Sequence, residues 1–291
     1  MTEPTGRHWA VTPNRKWRFH LVRGARSLEV GDFTGAQRHF GAAHKEAPTE
    51  PIVCLAWGRE LLRGGELDGA EELLRYAWAR DRSLESAGMS LARLLGLSRR
   101  RWAEAQAVLD EVEGRHGVSA ALVLLRAELT IGDPARFSEA GRLFERARDL
   151  GADADVVRLG LARVHNAEGV TRCREGEHHR ALFALKRAAD LDPAWSGPLV
   201  NSGAIFERLG HVRKARAHYR SALRLDPVNP VALFNLAESL RSGGFHGDAV
   251  RLYRRLLALQ PGYPGARDGL QAASRRGSGA LRPAQPVEPE P

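Results

Sequence analysis

Small and large apolar residues recur along this chain at a fixed period. Seven alanines, Ala36, Ala70, Ala105, Ala140, Ala181, Ala215 and Ala249, each stand four residues before a bulky apolar or aromatic one. The bulky residues are Phe40, Leu74, Leu109, Phe144, Leu185, Tyr219 and Tyr253. Three positions further on come Ala43, Ala77, Val112, Ala147, Ala188, Ala222 and Leu256. Offsets of four and seven place all three residues on one face of a helix. A second helical stretch precedes each alanine. In most units a glycine lies between the two stretches (Gly31, Gly65, Gly176, Gly210, Gly244), suited to the left-handed conformation that ends the first helix. Pro48, Pro193, Pro227 and Pro261 then stop the second helix.

The alanine spacings are 34, 35, 35, 41, 34 and 34 residues, so the pattern predicts helix–turn–helix units of about 34. "LVNSGAIFERLGHVRKARAHYRSALRLDP" and "LFNLAESLRSGGFHGDAVRLYRRLLALQP" agree at nearly every packing position. With A-x-x-x-F/Y and a closing proline, the unit resembles the tetratricopeptide repeat. The resemblance covers about residues 17–261. It implies an all-α, right-handed superhelical solenoid of about seven units: 17–48, 51–82, 85–117, 118–152, 153–193, 196–227 and 230–261. The third and fourth units are degenerate, with insertions in "LGLSRRRWAEA" and "IGDPARFSEA". In the fifth, seven extra residues equal nearly two helical turns and keep a buried face in register. That predicts one long first helix over "DADVVRLGLARVHNAEGVTRCREG", with Val157, Leu161 and Val164 inward and Leu159 a further candidate. An extended loop around "GADAD" is the alternative.

A repeat array exposes an apolar face at its end, so an amphipathic capping helix is expected over 262–276. The Pro-rich tail at 277–291 lacks core-forming residues and is expected to be flexible, as is the N-terminus at 1–16, with Trp9 and Val11 covering the open N-terminal face as the alternative. No apolar run approaches the roughly 18 residues that span a bilayer, and the start shows no secretory signal pattern. Cys54 and Cys173 fit two free thiols in a reducing cytoplasm.

In the resembled family the first helices line a concave groove. Mapping those positions onto this chain gives Ile52, Leu55, Arg59, Leu62 and Arg63 from the second unit, then Met89 and Arg93, and more loosely Leu125, Arg126 and Leu129. The fifth to seventh units give Arg163, Asn166, Val170 and Arg174, then Val200, Asn201, Ala204 and Arg208, then Phe234, Asn235, Glu238 and Arg241. Asn201 and Asn235 hold equivalent places, with Asn166 one position out of phase. An amide both donates and accepts, so such a row can pair with the backbone of an extended peptide; it resembles the asparagine ladder of O-GlcNAc transferase. The groove arginines suit an acidic segment or a carboxylate. The Lys-based carboxylate clamp of chaperone-binding repeats is missing, since Lys16 is followed four later by His20 and the third unit offers only Arg93.

The formal charge of +9 modifies this picture. Only four of the 44 basic residues are lysine, an arginine bias of the kind produced by a GC-rich, bacterial genome. Residues 201–291 hold 14 basic and 7 acidic side chains, a net of +7, leaving 30 and 28 for the rest. Lys186, Arg187, Arg216, Arg220, Arg224, Arg254 and Arg255 predict a basic ridge on the outer helices, suited to an anionic membrane, nucleic acid or an acidic protein. No stacking aromatics interleave it, which disfavours single-stranded nucleic acid.

Catalytic motifs for phosphate loops, nucleophile elbows and zinc proteases are missing. "EGEHH" at 175–179 has the composition of a metal site but falls in a turn without distant ligands. The expectation is therefore a non-catalytic scaffold or adaptor for a protein partner, with no metal and no cofactor. A ridge-bound membrane or nucleic-acid factor, and a regulatory subunit of an enzyme complex, are the alternatives.

Overall fold

The structure is a computed structural model that describes residues 16–277. The N-terminal and C-terminal segments expected to be flexible lie outside the described residues, apart from their innermost positions. Among the described residues there are fifteen α-helices, two 3₁₀ turns and no strand. The chain forms two compact units, one carrying α1–α7 and the other α8–α15.

In the first unit, three helical hairpins follow one another. They are α1 (Lys16–Glu29) with α2 (Phe33–Glu46), α3 (Pro51–Gly64) with α4 (Leu67–Arg80), and α5 (Glu85–Leu95) with α6 (Trp102–His116). α7 (Ala120–Thr130) packs on α6 and α5. The second unit begins with α8 (Phe137–Asp149). Its hairpins are α9 (Ala154–Arg174) with α10 (His178–Leu191), α11 (Gly197–Arg208) with α12 (Val212–Leu225), and α13 (Pro230–Ser242) with α14 (His246–Leu259). α15 (Ala266–Gly277) packs on α14 and α13. The predicted fourth repeat is thus divided, α7 lying in one unit and α8 in the other.

The local causes are those the sequence offers. Gly31, Gly65, Gly176, Gly210 and Gly244 all have φ between 75° and 83°, closing the first helix of five of the six hairpins as a left-handed residue. α2, α10, α12 and α14 end two residues before Pro48, Pro193, Pro227 and Pro261. Asp32, Ser119, Asp153 and Asn229 cap their helices by accepting from backbone N–H groups. The insertions of the third and fourth repeats become 3₁₀ turns, Arg99–Arg101 and Pro134–Arg136.

The core follows the period of the sequence. All seven index alanines are fully buried, and the bulky residue four on from each is at most 6% exposed. Opposite that bulky residue the partner helix carries a glycine in four hairpins: Gly24 faces Phe40, Gly58 faces Leu74, Gly169 faces Leu185 and Gly203 faces Tyr219. At Gly24, Gly169 and Gly203 a side chain would meet the bulky one at 2.5–2.6 Å, contacts no Cβ normally makes, and at Gly58 at a tight 3.1 Å, so these helices approach closely because it is absent. α9 is a single 21-residue helix. Val157 and Val164 are buried along it, while Leu161 is half-buried. Leu159 departs from the expectation at 39% exposed, because a step of two residues from the buried Val157 turns it about 200° around the helix.

Candidate functional site

In each unit the first helices of successive hairpins lie against one another: α1, α3, α5 and α7 in the first, and α9, α11, α13 and α15 in the second. This juxtaposition brings groove positions from different repeats side by side. In the second unit Asn201 Nδ2 donates to Asn166 Oδ1 at 2.9 Å, from α11 to α9. The one-position phase difference between them is therefore no obstacle, since the side chains span it. The pair leaves the Asn166 amide as a donor and the Asn201 carbonyl as an acceptor, the two functions an extended backbone needs. Asn235 is half-buried at the equivalent place on α13.

Glu238 and Arg241 belong to the same face of α13, and they are bonded to each other, Arg241 Nη2 donating to Glu238 Oε2 at 2.6 Å. Glu238 also accepts the hydroxyl of the fully buried Tyr253. Burial pushes the Glu238 carboxyl up, but these two donors outweigh it and hold the group below its ordinary range. Burial and the adjacent carboxylate keep the Tyr253 hydroxyl protonated. Tyr219 repeats the arrangement on Glu207 at 2.9 Å. Arg174 and Arg208 are exposed, with Arg208 Nη1 lying 3.8 Å from Cys173 Sγ.

The first unit places a different chemistry on its first helices. Arg59, Leu62 and Arg63 of α3 and Ser86, Met89, Ser90 and Arg93 of α5 line one cavity of about 470 Å³. Arg63 is paired with Glu60, which is only 5% exposed. Arg93 stands 3.6 Å from Glu128. Arg126 turns away from the cavity to Asp110 and Glu113 of α6, at 3.0 and 2.9 Å. Three other mapped positions, Leu55, Leu125 and Val200, are at most 5% exposed and belong to the core, because the helices of neighbouring hairpins close over them.

The basic ridge is thinner than the sequence suggests. Arg216 is half-buried on α12; its Nε and Nη2 donate to the hydroxyl and carbonyl of Ser239 at 3.1 and 2.5 Å, and its guanidinium lies 5.0 Å from the Phe245 ring centre. The Ser239 carbonyl also accepts from the Gly243 N–H at 3.2 Å, so Arg216 adds a second donor at the end of α13, which removes it from the exposed row. Arg255 donates to the Pro227 carbonyl and Arg224 to the Ser221 hydroxyl. Those two and Lys186, Arg187, Arg220 and Arg254 remain exposed on α10, α12 and α14.

The 175–179 turn is organised by ion pairing. Glu177 accepts from Arg172 at 2.6 Å and from Arg180 at 3.0 Å, and these bonds hold its carboxyl below the ordinary range. Among the described residues no three His, Cys, Asp or Glu side chains gather as metal ligands would. No described helix is long and apolar enough to cross a membrane.

Two side-chain groupings escaped sequence reasoning. Arg101 makes a bidentate pair with Glu71 at 2.6 and 2.7 Å, while Arg75 donates to Glu71 at 2.8 Å and also binds Glu104. The network ties α4 to the inserted turn "SRRRW" and α6. The only sequence signal was the Glu71–Arg75 and Arg101–Glu104 spacing of four and three. His20 and His39 meet through their Nδ1 atoms at 3.3 Å across α1 and α2.

Residues 203–264 match the family described as Tetratricopeptide repeat, and residues 7–120 match that described as Protein kinase G tetratricopeptide repeat. No curated protein matches the chain. Among solved structures it is similar to a tetratricopeptide repeat protein from Parabacteroides merdae ATCC 43184, at 12% identity, 89% of this chain, 99% of that one and a TM-score of 0.59. It is also similar to the APC/C hetero-tetramer Cut9–Hcn1, at 14% identity, 89% of this chain, 54% of that one and a TM-score of 0.51. At these identities the likeness is one of fold.

Proposed function

The chain is a tetratricopeptide-repeat protein, and from that premise we propose that it is a non-catalytic scaffold whose first-helix face binds an extended segment of a partner protein. The observation that carries this reading is the amide row on α9, α11 and α13. Asn166 and Asn201 are joined across two repeats, and Asn235 stands ready on the third. A row of paired amides recognises main chain and is indifferent to side chains, so it supplies register and hold while neighbouring residues supply choice. Arg174 and Arg208, exposed beside the row, favour a segment carrying carboxylates.

The test is a crosslinked pull-down comparing wild type with Asn201→Ala/Asn235→Ala at low and high salt. A protein partner retained at high salt by wild type and lost from the double variant supports the groove. Equal recovery with both proteins refutes it. We place this activity in a reducing cytoplasm, where both cysteines stay free; Cys54 is buried with its thiol on the Pro48 carbonyl at 3.0 Å. A second reading, attachment to an anionic membrane or nucleic acid, rests on the exposed Lys186, Arg187, Arg220, Arg224, Arg254 and Arg255. It predicts capture that collapses with salt and is lost in Arg220→Glu/Arg254→Glu.

A further inference from the structure

We propose that the cavity between α3 and α5 binds a phosphate monoester, with Arg59 and Arg93 taking its charge from opposite sides. The proposal deepens the scaffold reading and rests on it, because it assigns a ligand chemistry to the same first-helix face in the other unit.

The geometry comes from two helical ladders. Arg59 and Arg63 are four apart on α3; Ser86, Ser90 and Arg93 follow at intervals of four and three on α5. Such spacings put each set on one helix face, and α3 and α5 lie together, so the two sets face one cavity. Leu62 and Met89 supply its apolar lining. At about 470 Å³ it falls within the roughly 300–1,000 Å³ of small-ligand pockets, room for one substituted side chain and too little for a folded partner.

The charge decides which ligand. No carboxylate lines the cavity. Among its cations Arg63 is held most firmly, since the buried Glu60 neutralises it in place. Arg93 is 57% exposed and forms a 3.6 Å ion pair with Glu128, a solvated pair of the weak kind that a more highly charged ligand can displace. Arg59 and the displaceable Arg93 therefore offer a guanidinium from each wall. A carboxylate would answer one charge with two coplanar oxygens, which a single guanidinium satisfies. A phosphate monoester carries about −1.5 to −2 at neutral pH and has three terminal oxygens set tetrahedrally. It can accept from guanidiniums on both walls and from the Ser86 and Ser90 hydroxyls together.

The experiment uses the full chain and three fluorescein-labelled nine-residue peptides of one Gly/Ala/Ser sequence, with phosphoserine, glutamate or serine at the centre. Fluorescence polarisation reads binding, with inorganic phosphate as competitor. The expected result is at least tenfold tighter binding of the phosphoserine peptide than of the glutamate one. That preference disappears in Arg59→Gln/Arg93→Gln, whose exposed positions leave the fold intact as judged by circular dichroism. Affinity also falls as pH drops from 7.5 to 5.5, because the second phosphate ionisation lies near 6. Inorganic phosphate displacing the peptide at equal affinity would support the phosphate assignment and make a small phosphorylated molecule its source; far weaker displacement assigns the phosphate to a partner peptide. Equal binding of glutamate and phosphoserine peptides, or an unchanged preference in the double variant, overturns the proposal. The amide-row pull-down is read separately, so the scaffold reading can survive that failure.

Discussion

Replacing Gly203 by alanine should destabilise the second unit, whereas the same change at Gly141 should stabilise it. Both glycines lie inside helices, α11 and α8, so each substitution gains roughly 1 kcal/mol of helix propensity. At Gly141 a new Cβ meets nothing within 4 Å, and the gain is kept. At Gly203 it would stand 2.5 Å from Tyr219 Cε1, 2.7 Å from Cδ1 and 3.1 Å from Cζ. Ordinary carbon contacts are about 3.5–4.0 Å, so ring and helix must part by roughly 1 Å. Tyr219 has no easy escape: it is fully buried, and its hydroxyl is anchored on Glu207. Overpacking of this kind costs about 1–3 kcal/mol, so the two variants should differ by that amount, with opposite signs relative to wild type. Urea unfolding followed by circular dichroism measures the difference. Hydrogen exchange resolved to α11 and α12 measures it locally, since stacked repeats need not unfold in one step. Equal stability of Gly203→Ala and Gly141→Ala would refute the close-approach argument.

Other outcomes follow from side chains already placed. Arg101, and after it Arg75, holds the Glu71 carboxyl at about 2, below its ordinary value, so its contribution is complete above pH ~4.5 and is lost as pH falls toward 2; Glu71→Gln should flatten the acid limb of a stability–pH curve by about 1 kcal/mol, the discount reflecting solvent-exposed partners. An unchanged acid limb in that variant would remove the network from the account. Burial pushes the Cys54 thiol up to about 11, so iodoacetamide at pH 7.5 should label it far more slowly than in urea; mass spectrometry giving the same rate in both would contradict its burial. Arg216→Ala removes the donor of the Ser239 hydroxyl and the second donor of its carbonyl, which keeps the Gly243 N–H, and should cost about 1 kcal/mol, seen as faster amide exchange at the end of α13, whereas Arg220→Ala, exposed on the same helix, should leave exchange there unchanged.

The fold was legible because packing in this protein is local and periodic. Each index alanine, its bulky partner and the third apolar residue sit on one helix and repeat, so positions such as Ala215, Tyr219 and Ala222 could be assigned to the core without knowing any long-range contact. The long α9 was legible for the same reason, since an insertion of seven keeps the phase. The site was legible only in outline. Leu55, Leu125 and Val200 sit at family groove positions yet are buried, because burial depends on how closely the neighbouring hairpin approaches. Arg216 and Arg220 look alike in sequence, four apart on α12, but only Arg216 reaches Ser239. The contact between Asn166 and Asn201, and the pairing of Glu71 with Arg101, each join residues 30 or more apart and depend on side-chain reach, which spacing does not encode.

The glycine notches also bear on how such a chain can be lengthened. In α1/α2, α3/α4, α9/α10 and α11/α12 the glycine and the side chain filling it belong to the same hairpin, always 16 residues apart. Such a hairpin is a self-contained cassette: a copy of residues 194–227 inserted after Pro227 would bring its own tightest contact with it. α9 departs from this rule. Besides Gly169, which receives Leu185 from its own hairpin, it carries Gly160, which receives Phe144 of α8. α15 does likewise, with Gly269 against Tyr253 of α14. At these two joints the cut points close, and α8 with α9, like α14 with α15, must be inherited together.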